Sequence, residues 1–462
     1  MQKMRVLTWY FGIVLAALIG ILLATGIRSG LLFQFDPDEF AHAQVAYLIL
    51  HGLVPYREFF MTYTPVFHIF ISPVFMLFGF SMGGMYAARW FMTILFLLRV
   101  TLTAWIAMRV FGKRIAVIFL LLFLADPFTV YSAMQIRPDN FMMLLFTGGL
   151  ALFLSGAFFW SGLLLAVSGV VLLKIAPAIF VIWVAVLFQK RGVGLFLLGF
   201  LIPLVLFFSY TLATGNTNEM LRQVVTDPYA INRSVAFPLP ITHFYSVKSG
   251  LFDLYGSAWN RLPYIAWLLL LLAAFGLFLV RPVSAASRRI LTGILIVQGI
   301  SLVLVHSVFV QYFLPITWLV DLFAAALIAR GTRRMIPLAV IILLLLVFSF
   351  DSANANISRS HTVSNDLTRW LTRIWNRVPV NAASYPNIPF RPLAYPLPFG
   401  YYFHDLPLPI IRRLPPLTAT LEKNKPAYIL QTYEWNALPQ DFFIYVDDRY
   451  HKIDTDVFVR NN

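Results

Sequence analysis

The chain contains no cysteine. Disulfides, thiolate nucleophiles and cysteine-ligated metals are therefore excluded, and the compartment's redox state leaves no trace in the sequence. Charge is scarce as well: charged residues make up 12% of the 462 positions, against roughly a quarter in a water-soluble globular chain. There is no phosphate-cradling glycine loop of the Walker or dinucleotide type and no His-Glu-x-x-His helix. A nucleotide-driven motor or a cytosolic nucleotide-sugar enzyme thus has no support.

Apolar surface is what the chain has in excess. Hydrophobic residues reach 60%, with 44 phenylalanines. A compact soluble protein could not hide that much, so the solvent for most of this chain is lipid. The net charge of +15 would suggest nucleic acid in a soluble protein. Here the basic residues cluster in short stretches between apolar runs, as the positive-inside rule requires, and nucleic-acid binding is set aside.

Runs near the length a bilayer needs occur at 6–27, 85–108, 115–133, 140–157, 193–213, 262–280, 290–307, 312–329 and 335–350. The first is basic at its start and long enough to span, with no small-residue cleavage site before the acidic segment that follows; it is read as a retained first helix. Residues 158–188 are too long for one straight crossing and carry Lys174 and Pro177 near the middle. Charge parity decides how they cross. With the N-terminus inside, the clusters Lys3/Arg5, Arg109/Lys113/Arg114, Lys190/Arg191, Arg281/Arg288/Arg289 and Arg330/Arg333/Arg334 all fall inside only if 158–188 is a hinged pair of helices. Residues 64–79 are apolar but short, and are expected to form an interfacial or partly re-entrant helix.

The expected fold is an all-α polytopic membrane protein of about eleven transmembrane helices, with juxtamembrane helices in its first outer loop. It is a multi-pass protein of the plasma membrane, N-terminus cytoplasmic and C-terminus extracytoplasmic. Residues 1–350 are expected to form the transmembrane domain, with outer loops 28–84 and 214–261, and residues 351–462 a small extracytoplasmic α/β domain. In that tail NDLTRWLTRIW reads as a helix, and PAYILQTY and DFFIYVDDRY as strand-like runs.

Three acids, Asp36, Asp38 and Glu39, follow the first span and open a helical pattern with Ala41, Val45, Leu48 and Ile49 on one face. Capping a helix needs one acid, so a second reading is open: a carboxylate at the membrane surface that takes the proton of an acceptor hydroxyl. His42, one turn on, suits packing better than ligation. In the next outer turn Asp126, Arg137 and Asp139 sit against an apolar span, either as turn residues that neutralise one another or as a functional group. Lys174, in the apolar hinge, either snorkels or meets an anion such as a phosphate; Arg57 is a second such cation. Arg89 can reach the outer interface, whereas Arg99 lies within its span with no partner evident in the sequence. His306, Gln311 and Tyr312 mark a span boundary.

The segment DPDEFAHAQVAYLILHGLVPYREFFMTYTPVFHIFISPVFMLFG, followed in order by AARW, RPDNF and LLKIAP, resembles the GT-C glycosyltransferases. The similarity is to the protein mannosyltransferase and lipid A aminoarabinose transferase group and covers about the first 190 residues. It implies an enzyme that moves a sugar from a polyprenyl-phosphate-linked donor to an acceptor glycan, lipid or protein on the outer face, with inversion at the anomeric carbon. Asp38 matches the family's catalytic acid, with Glu39 beside it. Asp139 matches a second acidic position, and Lys174 a lysine of the fifth-helix region. Lys174, Arg57 and Arg137 are then the cations for the donor phosphate, and Asp38 and Asp139 could share a divalent cation. Thr64–Pro65 stands where relatives often have two prolines, and Gln311 precedes Tyr312 where some relatives carry basic residues. Two other functions remain open at this point: a transporter or flippase of lipid-linked sugars, which hinged helices also suit, and a lipid-linked oligosaccharide ligase or polymerase.

Overall fold

The computed structural model describes residues 2–126, 129, 133–234, 285–305, 310–331, 365–399, 406–432 and 435–461. The expected spans 262–280 and 335–350, most of outer loop 214–261, and His306 lie outside the described residues. The chain divides into two compact units. The first comprises Met1–Gln34, Arg89–Leu204 and Leu239–Val363; the second comprises Phe35–Ala88, Val205–Pro238 and Ser364–Asn462.

Five described helices are long and apolar enough to cross a membrane: Gly12–Leu32, Met82–Phe111, Val193–Ala213, Ala285–Val303 and Gln311–Ala329. The protein is a multi-pass membrane protein. Shorter apolar helices run over Lys113–Ala125, Pro138–Leu154, Phe158–Val171 and Ala176–Gln189. The stretch expected to be hinged is broken: Leu172 is extended, a single 3-10 turn covers Leu173–Ile175, and the next helix starts with Pro177 in its first turn. Proline there has a physical reason. Inside a continuous helix its ring would strike the carbonyl of residue 173, whereas in a first turn its missing N–H costs nothing. Each half has 14 residues, about 21 Å, so neither alone spans a core of about 30 Å.

Small residues let these helices close up. A side chain at Gly162 would run into the carbonyl oxygen of Phe196, and one at Gly199 into that of Phe159. In lipid, where apolar burial drives little association, such close approach is what holds helices together. By contrast Leu195, Leu198, Val205, Leu206 and Leu212 of Val193–Ala213 are exposed, as residues that face acyl chains should be.

Arg89 is fully buried and donates to the carbonyls of Phe33 at 2.6 Å and Gln34 at 2.9 Å, just past the end of the first helix, Gln2–Leu32. It neutralises the negative end of that helix dipole. Arg99 is also fully buried, 5.2 Å over the Phe123 ring, with Asp126 and Asp321 as the carboxylates that act on it.

In the second unit, Val66–Phe78 buries Phe67, His68, Ile71 and Phe75 and exposes Ile69, Met76, Leu77 and Phe78. With 13 residues and an exposed apolar face it suits a membrane interface, not a crossing. The tail carries a four-stranded sheet of order β1-β2-β4-β3, where β1 is Ser384–Tyr385, β2 Tyr428–Leu430, β3 Tyr450–Asp454 and β4 Val457–Arg460. NDLTRWLTRIW is helical, within Asn365–Arg377. DFFIYVDDRY is not a strand over most of its length: all but its last residue lie in the helix Gln440–Arg449, with Phe442, Tyr445 and Val446 buried, and only Tyr450 opens β3. Those positions follow i, i+3, i+4, a spacing that outweighs the aromatic and β-branched content which suggested a strand. Gln44, in the helix Pro37–Leu50, ties that helix to the tail, accepting from the Phe390 amide at 2.5 Å and donating to the Arg391 carbonyl at 3.1 Å.

Candidate functional site

The helix Pro37–Leu50 begins with a capping box. The Asp36 carboxylate accepts from the Asp38 amide at 2.9 Å, and the Glu39 carboxylate accepts from the Asp36 amide at 3.0 Å. Proline in the first turn fixes the start. Two of the three acids are therefore committed to the helix end, and Glu39 is fully buried there. Asp38, half-buried in the first turn, is not needed for the cap. One turn on, His42 lies 3.0 Å from His68, Nδ1 to Nε2, both rings buried against Phe67. Burial, and then the neighbouring His42, push His68 well below the ordinary histidine range. The pair packs Pro37–Leu50 against Val66–Phe78, a role the sequence reading gave to His42 but could not give a partner.

A second constellation lies in the first unit. The RPDNF motif opens the helix Pro138–Leu154, with Arg137 at the N-cap, proline in the first turn and Asp139 behind it. Asp139 is buried and accepts a hydrogen bond from the Lys174 ammonium in an ion pair. The same ammonium donates to the Gln311 carbonyl at 3.0 Å and stands 5.0 Å over the Tyr312 ring. Gln298 donates to the Lys174 carbonyl at 3.0 Å, which satisfies backbone freed by the helix break. Asn140 fixes the motif by donating to the carbonyls of Met92 at 3.2 Å and Ala133 at 2.9 Å. Arg137 is buried too. Its charge acts on Lys174, so the ammonium sits between a carboxylate and a second cation.

The structure thus joins Asp139, Lys174 and Gln311, which the sequence reading had named separately. It adds Gln298, which nothing in the local sequence had marked, and gives Asn140 of the RPDNF motif its contacts. Asp38, Glu39 and Arg57 belong to the second unit. Arg57 is exposed and lies 3.7 Å from Glu58. Among the described residues no group of three His, Asp or Glu side chains could hold a metal ion. Asp139, one of two carboxylates offered for a shared cation, already has an ammonium on it.

No protein-family model and no curated protein sequence matches the chain. Solved structures do. ArnT from Cupriavidus metallidurans bound to undecaprenyl phosphate superposes with a TM-score of 0.63 at 13% identity, over 96% of this chain and 97% of that one. The Archaeoglobus fulgidus oligosaccharyltransferase tethered to an acceptor peptide superposes with a TM-score of 0.53 at 10% identity, over 98% of this chain and 75% of that one. A second structure from that archaeon, the oligosaccharyltransferase AglB with an inhibitory peptide and a dolichol-phosphate, gives 0.52 at 10% identity, over 93% and 70%. ArnT is a lipid A aminoarabinose transferase, and both proteins are members of the GT-C fold. At these identities it is the architecture that is shared, over nearly all of this chain: it has the GT-C fold.

Proposed function

We propose that the chain is an inverting membrane glycosyltransferase that takes a sugar from a polyprenyl-phosphate donor and gives it to an acceptor on the outer face. The observation that carries this reading is the ion pair of the partly buried Lys174 with the buried Asp139, built at a helix break with Arg137 nearby. The likeness to proteins solved with undecaprenyl phosphate and dolichol-phosphate supports it. Asp38 is the general base, which takes the acceptor's hydroxyl proton as oxygen attacks the anomeric carbon opposite the phosphate. Glu39, spent on the capping box, positions Asp38. Lys174 and Arg137 stabilise the negative charge that grows on the departing lipid phosphate, and Arg57 is a further cation for an anionic substrate group.

The proposed frame keeps about eleven membrane helices, residues 1–350 as the transmembrane domain and 351–462 as the outer domain, in a plasma membrane with the N-terminus cytoplasmic. That most of the proposed outer loop 28–84 and of the tail, with the start of 214–261, fall into one compact unit supports it. The chain has no cysteine, so single cysteines report cleanly. Arg191→Cys and Thr455→Cys, both at exposed positions, should be labelled by an impermeant maleimide from opposite sides of sealed vesicles. Labelling from one side only would overturn the topology.

The helix break would also suit a transporter or flippase. Incubation of the purified protein with a panel of undecaprenyl-phosphate sugars separates the two readings. A transferase releases undecaprenyl phosphate with stereochemical inversion of the sugar, whereas a flippase returns the donor intact. Because Lys174 already balances Asp139, turnover should persist in excess chelator. Loss on chelation, restored by a divalent ion, would instead put a metal on Asp38 and Asp139.

A further inference from the structure

The second unit contains a pocket of about 360 Å³, of whose lining the reaction described above draws on Arg57 alone. Small-molecule sites range from about 300 to 1,000 Å³, so it has room for a small polar group. One wall is the turn at Tyr56–Phe60, where Tyr56 has a φ of +68° and its amide bonds the Phe59 carbonyl at 3.0 Å. The opposite wall follows the helix Val193–Ala213, and there the chain widens into a single π-helical turn, Arg222–Thr226. Turns of that kind gather at functional sites. The two walls are pinned by amides. Asn216 donates to the Pro55 carbonyl at 2.7 Å; Gln223 accepts from the Met61 amide at 3.0 Å and donates to the Tyr56 carbonyl at 3.2 Å. The cavity is therefore held open by the fold before any ligand arrives.

Its chemistry is mixed in a specific way. Three arginines line it or its rim, and each is matched by a carboxylate: Arg57 with Glu58, Arg222 with Glu219, and Arg413 with Asp227 at 2.6 Å. A phosphate would meet a carboxylate beside each guanidinium, which makes this a poor anion hole. A guanidinium has five N–H donors and a carboxylate about four acceptor sites, and one ion pair uses few of them. What remains is an alternation of donors and acceptors, which vicinal hydroxyls can answer because each both donates and accepts. Among the rest of the lining, Pro396, Leu414 and Pro415 offer apolar surface for a ring's C–H face.

We propose that this pocket binds saccharide, and that it holds the sugar of the acceptor. The first half stands on the pocket alone; the second rests on the transferase reading. The test uses the full chain in detergent on an array of immobilised neutral and acidic oligosaccharides, with undecaprenyl phosphate affinity measured on the same samples. The wild type should retain a subset of glycans. Arg222→Gln and Glu219→Gln should each weaken that binding at least tenfold, and both should keep wild-type affinity for undecaprenyl phosphate. The Arg222–Glu219 pair is about two-fifths exposed, so neither change should cost the fold much. No retained glycan, or variants that bind as wild type does, would overturn the site. Competition by inorganic phosphate would make it an anion site instead. Displacement of the glycan by any of a panel of undecaprenyl-phosphate hexoses and pentoses would make it the donor's sugar pocket and overturn the acceptor assignment. The transferase reading fails separately, if the protein turns over no donor while glycan binding and its loss in the two variants stand.

Discussion

Asp38→Asn should reduce turnover by about 100- to 10,000-fold while the protein still inserts and folds, since that is the range a lost general base costs. In activation free energy this is about 2.7–5.5 kcal/mol. The capping box makes the expectation sharper than composition alone could. Asp36 and Glu39 hold the start of Pro37–Leu50, and Asp38 contributes its amide, not its carboxylate, to that cap. The substitution leaves that backbone amide in place, so the cap survives. Asp36→Asn retains a side-chain oxygen that can accept the same bond, and should lose little in either stability or rate. Glu39→Gln should behave likewise, because its carbonyl oxygen can still reach the Asp36 amide. The measurement is release of undecaprenyl phosphate at saturating donor for the three variants, beside their melting temperatures in detergent. Equal, mild losses at all three would mean that the acids serve the helix and that the base lies elsewhere.

The parts of this fold that lipid or local geometry imposes were legible in the sequence. Hydropathy located the described spans, because backbone in lipid must be helical over a set length. Pro177 after Lys174 marked the helix break, because proline belongs in a first turn. The acids after the first span announced a helix start, though only the structure showed that two of them share the cap. What stayed hidden depends on contacts distant in sequence. Asp139 and Lys174 are 35 residues apart and each was singled out alone; their pairing is set by how Pro138–Leu154 meets the broken pair. Gln298 reaches Lys174 across 124 residues, and Gln44 reaches Phe390 across 346. Glutamines carry no charge to betray such work. The pocket is the extreme case: Asn216 and Gln223 read as ordinary loop polars, and only the fold shows that their amides hold two walls apart. The tail helix Gln440–Arg449 was misread for a different reason. Its composition favours a strand, and β-propensity yields to packing when Phe442, Tyr445 and Val446 find a core on one helix face.

The ion pair at the break reverses what the sequence implied about Lys174. An ammonium at membrane depth costs about 2.5–3.5 kcal/mol on insertion scales, so taking it away should help the protein insert. Asp139 changes the sign. In Lys174→Met the buried Asp139 carboxylate loses its partner, and breaking a buried pair by removing one member costs about 3–5 kcal/mol. The single variant should therefore melt below wild type. Lys174→Met combined with Asp139→Leu removes both charges and should recover most of that loss, because well-packed apolar replacements for a buried pair are often neutral or better. Function should not recover with it. If Lys174 meets the departing lipid phosphate, the double variant is stable yet binds undecaprenyl phosphate at least tenfold more weakly and turns over slowly. Asp139→Asn should do the opposite on binding. The lysine keeps a hydrogen-bonding neighbour without a competing charge, so affinity for the lipid phosphate holds or rises even as stability falls. Lys174→Arg should recover part of the binding, since a planar fork does not replace a compact ammonium at the same distance. Donor affinity and melting temperature, measured across these variants, form a double-mutant cycle that separates the pair's two roles. A double variant with full donor affinity would show that Lys174 is there to neutralise Asp139, and the phosphate would have to be sought at another cation.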